Sequence, residues 1–297
     1  MNKTKNFFYL KFIKNRFIFL IPLLTFFVLF VVIPVLLSIF MSFTSASFQG
    51  SQFIGLSNYQ SMISDSYFWN SLIVTIEFAG MSTILVFIIS LGIALLVQNE
   101  NKFSSIMRVL FYLPYMTPLI VAATMWKWML NYNTGIINFI LTLIGLPAVD
   151  WLNSNPNALL SVIMVQVWGL VGFMAMLFVT GLQSIPSEFK EAAIVDGANK
   201  FQTFFSVTFP LLKNTSILVL VLSLAYTFSN SFALIYIMTT GGPGYGTTVT
   251  PLYIYQTAFT QYRWGYASTL TLFLLAMAIA IGLFALRVQN FRIRKRG

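Results

Sequence analysis

Long apolar segments constrain this chain more than any other feature of its sequence. A helix needs about 20 mainly apolar residues to cross a hydrocarbon core about 30 Å thick. Of the 297 residues, 58% are hydrophobic and only 8% are charged, where a soluble domain carries about 25% charged residues. The sequence therefore predicts an all-α membrane protein with six transmembrane helices, at residues 17–43, 72–97, 107–130, 158–182, 215–239 and 266–288.

The lysines and arginines predict the orientation of these helices, because cations in short connections mark the cytoplasmic side. Lys127 and Arg263 fall on one side of the predicted membrane. All the others fall on the opposite side: Lys3, Lys5, Lys11, Lys14, Arg16, Lys102, Arg108, Lys190, Lys200, Lys213, Arg287, Arg292, Arg294, Lys295 and Arg296. We therefore expect cytoplasmic N and C termini, with basic tails at residues 1–16 and 289–297 flanking a membrane domain at 17–288. The formal charge of +10 then reflects topology and not nucleic-acid binding.

The residue types that are missing exclude several kinds of chemistry. The chain has no Cys and no His, which removes disulfides, thiolates, imidazole bases and the commonest metal ligands. Its seven acidic residues are scattered along the sequence, so no catalytic or metal-binding constellation is expected. The glycine-rich stretch at 241–248 lacks the lysine of a phosphate-binding loop. We interpret it as an external turn and expect no cofactor in this chain.

The predicted cytoplasmic connection at 183–212 has the pattern of a helix, a turn and a second helix. Pro186 and Glu188 favour a helix start, and Gly197 favours a turn. A second amphipathic piece follows, and we expect it to end at Pro210. Its apolar side chains are Phe201, Phe204, Phe205 and Val207. They must be buried either under the chain's own membrane helices or in another protein, unless the segment is an interfacial amphipathic loop that packs on lipid headgroups.

This connection resembles the "EAA" loop of permease subunits from binding-protein-dependent ABC importers. The resemblance rests on Glu191-Ala192-Ala193, Gly197 and the segment Val207-Thr208-Phe209-Pro210, with Val207 and Phe209 as conservative departures. Other elements are similar to the carbohydrate branch of that family: Trp168, Gly172, Gly181-Leu-Gln-Ser-Ile-Pro186, Asp196-Gly-Ala198 and Thr239-Thr-Gly-Gly-Pro243.

The resemblance implies a type I ABC importer permease fold in a prokaryotic inner membrane. It also implies partners: a second homologous permease, two cytoplasmic ATPase subunits that bind ATP and Mg, and an extracytoplasmic solute-binding protein. The cargo would be a sugar, and an oligosaccharide in particular. The residues expected to couple the chain to an ATPase are Glu191, Ala192, Ala193, Asp196, Gly197, Phe201 and Pro210.

The fifth predicted helix mixes aromatic and neutral polar side chains, which suits the hydroxyls and C–H faces of a sugar. In the resembling family, the fourth to sixth helices line the sugar site. The candidate pathway residues are Trp168, Phe173, Ser223, Thr227, Asn230 and Tyr236. Alternatively, the serines and threonines only hold the helices together.

The interpretations of Glu77 and of three tryptophans stay open, as do two rival functions of the chain. Glu77, the acidic residue within a predicted span, is either a hydrogen-bonding partner in the bundle or part of the pathway. Trp126, Trp128 and Trp151 are interpreted as an interfacial belt. The rival functions are an ion-coupled secondary transporter, for which only Glu77 qualifies as an intramembrane ionisable group, and a membrane-embedded enzyme.

Overall fold

The computed structural model describes residues 20–294, with side-chain environments through residue 280. Within these residues the chain is helical, and its β structure is confined to isolated bridges. The helices are α1 (Ile21–Ser42), α2 (Ser57–Ser64), α3 (Ser66–Val97), α4 (Lys102–Met116), α5 (Leu119–Met129), α6 (Ile136–Leu143), α7 (Asn157–Gln183), α8 (Ser187–Val195), α9 (Lys200–Thr203), α10 (Lys213–Met238), α11 (Thr250–Tyr255) and α12 (Trp264–Arg294). Single π-helical turns occur in α1, after α9 and after α11, at Val28–Val32, Phe204–Thr208 and Gln256–Thr260.

The expected all-α membrane architecture is confirmed. In the described residues, α1, α3, α7 and α10 are each long and apolar enough to cross a membrane. The bent pair α4 and α5 makes a fifth span if it is counted as one. The apolar part of α12 that is described, Trp264–Ala280, is shorter. The count of six spans and the cytoplasmic termini stay predictions, and the basic tail at 1–16 lies outside the described residues.

The third predicted span, 107–130, carries Pro114 and Pro118, a pair that predicts a bent helix, and the structure has a sharp break there. It is broken between α4 and α5, which meet at an angle of 94°. Thr117 precedes Pro118 and takes an extended conformation, with φ −75° and ψ 129°. A residue before proline is sterically kept out of the helical region, so α4 ends at Met116 and α5 starts in a new direction.

The chain forms two compact units. Unit 1 comprises Met1–Asp65 and Ile254–Gly297, and unit 2 comprises Ser66–Tyr253. In unit 1, α12 packs against α1 and α2. In unit 2, α7 packs against α3, α4 and α10, and α10 also packs against α5. Large apolar side chains with almost no exposure form the core of unit 2, among them Phe68, Phe78, Phe178, Met174 and Leu234.

The glycine-rich stretch at 241–248 forms a turn, as expected. Gly241 has φ +92°, and the side chain of Thr248 donates a hydrogen bond to its carbonyl oxygen at 2.9 Å. Thr239 and Thr247 share a hydrogen bond of 2.7 Å across the turn. Thr75 of α3 accepts a hydrogen bond of 2.8 Å from the backbone N–H of Thr250, which holds the following segment against α3.

Candidate functional site

A cavity of about 310 Å³ lies in unit 2 beside the break between α4 and α5. We call it the aromatic cavity. Its walls come from the broken span, from α7 and from α10, and they include Tyr115, Gln166, Trp168, Tyr226 and Asn230. Its described lining carries no charged side chain. Broken helices are a usual way to place backbone and polar groups around a solute at membrane depth.

Three aromatic rings build one side of this region. Tyr115 stacks on Phe173 with ring centroids 4.5 Å apart and planes inclined by 12°. Tyr226 meets both rings edge-on, at 6.2 Å from Tyr115 and 5.9 Å from Phe173. The hydroxyl of Tyr115 donates to that of Tyr226 at 3.2 Å. The cluster holds each ring in place and presents an apolar surface that ends in hydroxyl groups.

A glycine brings α4 and α7 close enough to form this cluster. A Cβ atom added to Gly172 would collide with the carbonyl oxygen of Phe111. Gly172 and Phe173 are neighbours on α7, so the close approach brings α4 to the helix that carries Phe173. Gly172 is one of the residues that resemble the carbohydrate branch, and the close packing of α4 on α7 explains why a glycine is needed there.

Neutral polar groups in α7 and α10 pair with one another or stay unpaired inside unit 2. The buried amide of Gln166 donates to the hydroxyl of Thr227 at 3.3 Å. Ser223, one turn before Thr227, has a fully buried hydroxyl with no hydrogen-bond partner among the described residues. An unpaired buried hydroxyl costs about 1–3 kcal/mol, which favours a solute or a conformation that supplies the missing partner.

The structure brings together some, but not all, of the predicted pathway residues. Trp168 and Asn230 line the aromatic cavity, and Phe173 stacks on its Tyr115 wall. Thr227 and Ser223 are buried in α10. Tyr236 is absent from the described lining and instead stacks on Phe232, with centroids 5.5 Å apart.

Sequence reasoning missed Tyr115, Gln166 and Tyr226 as wall residues. Tyr115 directly follows Pro114, and the pair of prolines at 114 and 118 was the signal for a discontinuous helix beside a solute site. Gln166 is an amide in an otherwise apolar helix, which is also a signal in a membrane segment.

Trp126 is half-buried in unit 2, and its interpretation as part of an interfacial belt stays a prediction. Its ring meets Trp168 edge-on at 5.5 Å, and its buried indole N–H has no acceptor among the described residues. Trp128 is 75% exposed, and Trp151 donates to the side-chain oxygen of Asn138 at 3.0 Å. Next to Trp126, Lys127 donates to the carbonyl oxygen of Ile237 at 2.8 Å and so ties α5 to the carboxyl end of α10.

Glu77 is exposed on α3. Its carboxylate makes no hydrogen bond with any residue that the structure describes. The hydrogen bond within the bundle that was one of its two interpretations is therefore not formed among these residues. It is also absent from the described lining of the aromatic cavity.

The connection at 183–212 has the predicted helix, turn and second helix. Helix α8 starts after Pro186, with Glu188 in its first turn. Gly197 has φ +83°, a conformation that glycine adopts without strain, and its N–H bonds the Ile194 carbonyl at 3.0 Å. Asn199 and Gln202 then form a capping box that starts α9.

Pro210 marks the end of the second helical piece to within one residue, because that piece ends at Leu211. The chain continues from α9 through the π-helical turn Phe204–Thr208 into the short helix Phe209–Leu211. Pro210 occupies the first turn of that short helix, where its missing N–H leaves no helical hydrogen bond broken.

Most apolar side chains of this connection are exposed. Val195 is 86% exposed, Phe201 is 73% exposed and Ile194 is 64% exposed. Glu191, Ala192, Asp196, Gly197 and Pro210 are exposed as well, and Ala193 is half-buried. These exposed apolar groups do not pack under the described helices of this chain, so they are available to another protein or to lipid headgroups.

The ends of the connection are held firmly by α7 and α10. A Cβ added to Gly181 near the end of α7 would lie 2.6 Å from the hydroxyl of Thr215 in α10. Gln183 donates to the carbonyl of Gln98, after α3, at 3.3 Å. Both α7 and α10 also contribute walls to the aromatic cavity.

Comparison with known proteins places most of this chain in one family. Residues 86–295 match the family described as binding-protein-dependent transport system inner membrane component. The trehalose/maltose transport system permease protein MalF of Thermococcus litoralis is 33% identical over 284 residues, which cover 94% of this chain and 95% of that protein.

Further similarities support the same assignment. The sulfoquinovosyl glycerol transport system permease protein SmoG of Agrobacterium fabrum is 33% identical over 88% of this chain and 85% of its own length. Among solved structures, a bacterial ABC transporter involved in the import of the acidic polysaccharide alginate matches with a TM-score of 0.83. The match covers 96% of this chain and 98% of that chain at 23% identity, and so it concerns the fold.

Proposed function

Because the chain belongs to the family of inner membrane components of binding-protein-dependent transport systems, we propose that it forms half of the membrane channel of an ATP-driven importer for a saccharide. The other half would be a second, homologous permease. Two ATPase subunits would bind ATP and Mg on the cytoplasmic side, and a solute-binding protein would deliver the cargo from outside.

The aromatic cavity is the observation that carries the proposed cargo class. A sugar ring has apolar C–H faces and a rim of hydroxyls, and it is recognised by aromatic rings combined with neutral hydrogen-bonding groups. Tyr115, Trp168 and Tyr226 supply the rings, while Gln166 and Asn230 supply amides. Relatives at 33% identity carry names that specify trehalose/maltose and sulfoquinovosyl glycerol.

The connection at 183–212, which we call the exposed loop, supports the proposed coupling to an ATPase. Val195 and Phe201 offer apolar surface, Ala192 and Gly197 permit close approach, and Glu191 offers a charged contact. Asp196 and Pro210 are exposed on the same loop. We expect this loop to sit in a cleft of the ATPase subunit and to follow its opening and closing.

Transport then follows from the way the loop is attached. Closure of the ATPase pair would move the loop, and α7 and α10 would move with it because the loop joins the end of α7 to the start of α10. The close contact of Gly181 with Thr215 would keep the two helix ends together. These helices carry Trp168 and Asn230, so their movement would open the cavity to the extracytoplasmic side, where the binding protein docks.

Copurification and reconstitution test this proposal. We would express the chain with a homologous permease and an ATPase from the same gene neighbourhood, reconstitute the complex in lipid vesicles, and measure ATP hydrolysis with loaded binding proteins. Stimulation by one sugar-loaded binding protein, with uptake of that sugar, is the expected result. A chain that purifies alone and moves solute under an ion gradient would overturn the proposal in favour of secondary transport.

A further inference from the structure

Unit 1 contains a second and larger recess, of about 590 Å³, which we call the unit 1 cleft. It lies between the hairpin that follows α1, the beginning of α2 and the turn that precedes α12. The residues used below are Phe48, Gln49, Gln261, Tyr262, Arg263 and Tyr266. The predicted topology places all of these segments on the extracytoplasmic side, where cargo arrives.

Buried hydrogen bonds fix the walls of the unit 1 cleft. The buried amide of Asn58 donates to the carbonyl oxygens of Ser42 and Thr44, at 2.9 Å each. The N–H of Gly265 donates to the carbonyl of Ala46 at 3.1 Å, and a Cβ at Gly265 would collide with the backbone of Thr44. The hairpin is thereby attached to both α2 and α12, and the recess is preformed.

An exposed aromatic pair borders the unit 1 cleft. Phe48 meets Tyr262 edge-on at 4.6 Å, and Trp264 lies 5.3 Å from Phe48 on another side. Phe48 is 72% exposed and Tyr262 is 45% exposed. Tyr262 has φ +57°, which is strained for a tyrosine and is typical of positions that a function maintains.

Apart from Ala46, Ile54 and the ring of Tyr266, the remaining lining is polar, and it has one positive group. Gln49 and Gln261 contribute amides, and serine hydroxyls complete the rim. The guanidinium of Arg263 lies 4.6 Å above the ring of Tyr266, which orients it. No carboxylate contributes to the described lining, so hydrogen-bond acceptors of a ligand would meet donors here without repulsion.

We propose that the unit 1 cleft is a second saccharide-binding site, which holds part of the cargo on the extracytoplasmic side before it enters the aromatic cavity. The inference rests on the proposed function for its ligand class. Aromatic rings at the border, amides on the wall and a planar guanidinium match the C–H faces and neighbouring hydroxyls of a sugar. The volume falls within the range of about 300–1,000 Å³ that ligand sites occupy. A docking site for an acidic loop of the binding protein would use Arg263 but leave the surrounding amides and hydroxyls without a role.

Binding of labelled trisaccharides to the assembled transporter tests the proposal. The complete complex would be placed in lipid nanodiscs without its binding protein. Equilibrium dialysis would then measure binding of maltotriose, cellotriose and trigalacturonate. Every measurement would be made with Tyr226→Ala present, which weakens the contribution of the aromatic cavity to total binding. The variants added to it for the unit 1 cleft are Phe48→Ala and Arg263→Gln. Phe53→Ala is the matched control, because Phe53 is 76% exposed beyond the same hairpin and does not line the cleft.

We expect at least one trisaccharide to bind the complex that carries Tyr226→Ala, and Phe48→Ala and Arg263→Gln each to weaken that binding about tenfold while Phe53→Ala leaves it in place. The inference is overturned if no trisaccharide binds, or if both cleft variants bind like the complex that carries Tyr226→Ala alone. It is also overturned if they lose only the affinity for the binding protein, which would make the cleft a docking surface. Binding-protein-dependent uptake of the same sugars, measured separately in vesicles, reports on the proposed function itself.

Discussion

The aromatic cavity and the exposed loop adjoin the same two helices, α7 and α10, but their side chains differ in how far they are paired within the chain. Around the cavity, Tyr115 bonds Tyr226 and Gln166 bonds Thr227, so most polar groups already have partners inside the chain. On the loop, Val195 and Phe201 remain exposed. The first arrangement suits a small solute that comes and goes, and the second suits a surface that another protein covers permanently.

The largest expected effect comes from breaking the loop. In a Glu191→Ala, Gly197→Ala double variant, alanine at 197 must adopt a left-handed backbone conformation, which costs about 1–2 kcal/mol. The proposed charged contact of Glu191 with the ATPase, worth about 1.5–3 kcal/mol, is lost as well. At about 1.4 kcal/mol per tenfold, uptake should fall about 100-fold or more while the chain still inserts in the membrane. Vesicle uptake and membrane fractionation measure the two effects.

The matched control for this variant is Glu191→Gln with Gly197→Asn. Asparagine tolerates the left-handed conformation, and no atom lies within 4 Å of the Cβ position at Gly197. We expect this pair to retain more uptake than the alanine pair. Normal uptake by the alanine pair would show that the loop does not couple the chain to an ATPase.

Gly172→Ala tests whether close packing of α4 on α7 supports the aromatic cavity. Its methyl group would collide with the carbonyl of Phe111, and overpacking of this kind costs about 1–3 kcal/mol. The complex should lose thermal stability as well as uptake. Gly169→Ala is the control on the same helix, since no atom lies within 4 Å of its Cβ position, and it should keep the stability. Equal melting temperatures for the two variants would contradict the account.

Removal of an aromatic ring should have a smaller effect, confined to the cargo. Phe173→Ala removes the ring that stacks on Tyr115 at 4.5 Å. We expect the apparent affinity for cargo to weaken about tenfold, with assembly unchanged, because one aromatic contact is worth about 0.5–1.5 kcal/mol. Phe173→Tyr keeps the ring and should restore most of the affinity in an uptake titration. A loss that tyrosine does not restore would argue against a stacking role.

The smallest effect is expected at Lys127. Lys127→Met keeps the apolar stem but removes the hydrogen bond of 2.8 Å to Ile237, at a cost of about 0.3–1 kcal/mol. Uptake should fall by about two- to fivefold without a change in cargo preference, because the residue ties α5 to α10 and is absent from the described cavity lining. A changed preference among sugars would place Lys127 closer to the cargo than the account allows.

Sequence alone predicted the elements that depend on local chemistry. Hydropathy located α3, α7 and α10 to within a few residues of most of their ends, and Pro186 and Gly197 marked the loop's helix and turn. These features follow from backbone preferences and apolar length, which a sequence displays directly.

The rest depended on contacts between distant residues. The prolines indicated a bend, but the right-angled break at Pro118 needed coordinates. The contact of Trp126 with Trp168 joins two helices, and Tyr115 gained its role only through Phe173, on another helix. Exposure of Phe201 could not be predicted either, because an apolar residue in a loop is as often buried by its own chain as by a partner.

The central claim is that movement of the loop reaches the aromatic cavity through α7 and α10. The chain contains no cysteine, so spin labels placed at Thr124→Cys in α5 and Leu160→Cys in α7 would mark no other site of this chain. In the assembled complex, we predict that trapping nucleotide on the ATPase changes the distance between the labels, and that the alanine pair at residues 191 and 197 abolishes the change. A distance that responds to nucleotide equally in both proteins, or in neither, would contradict the claim.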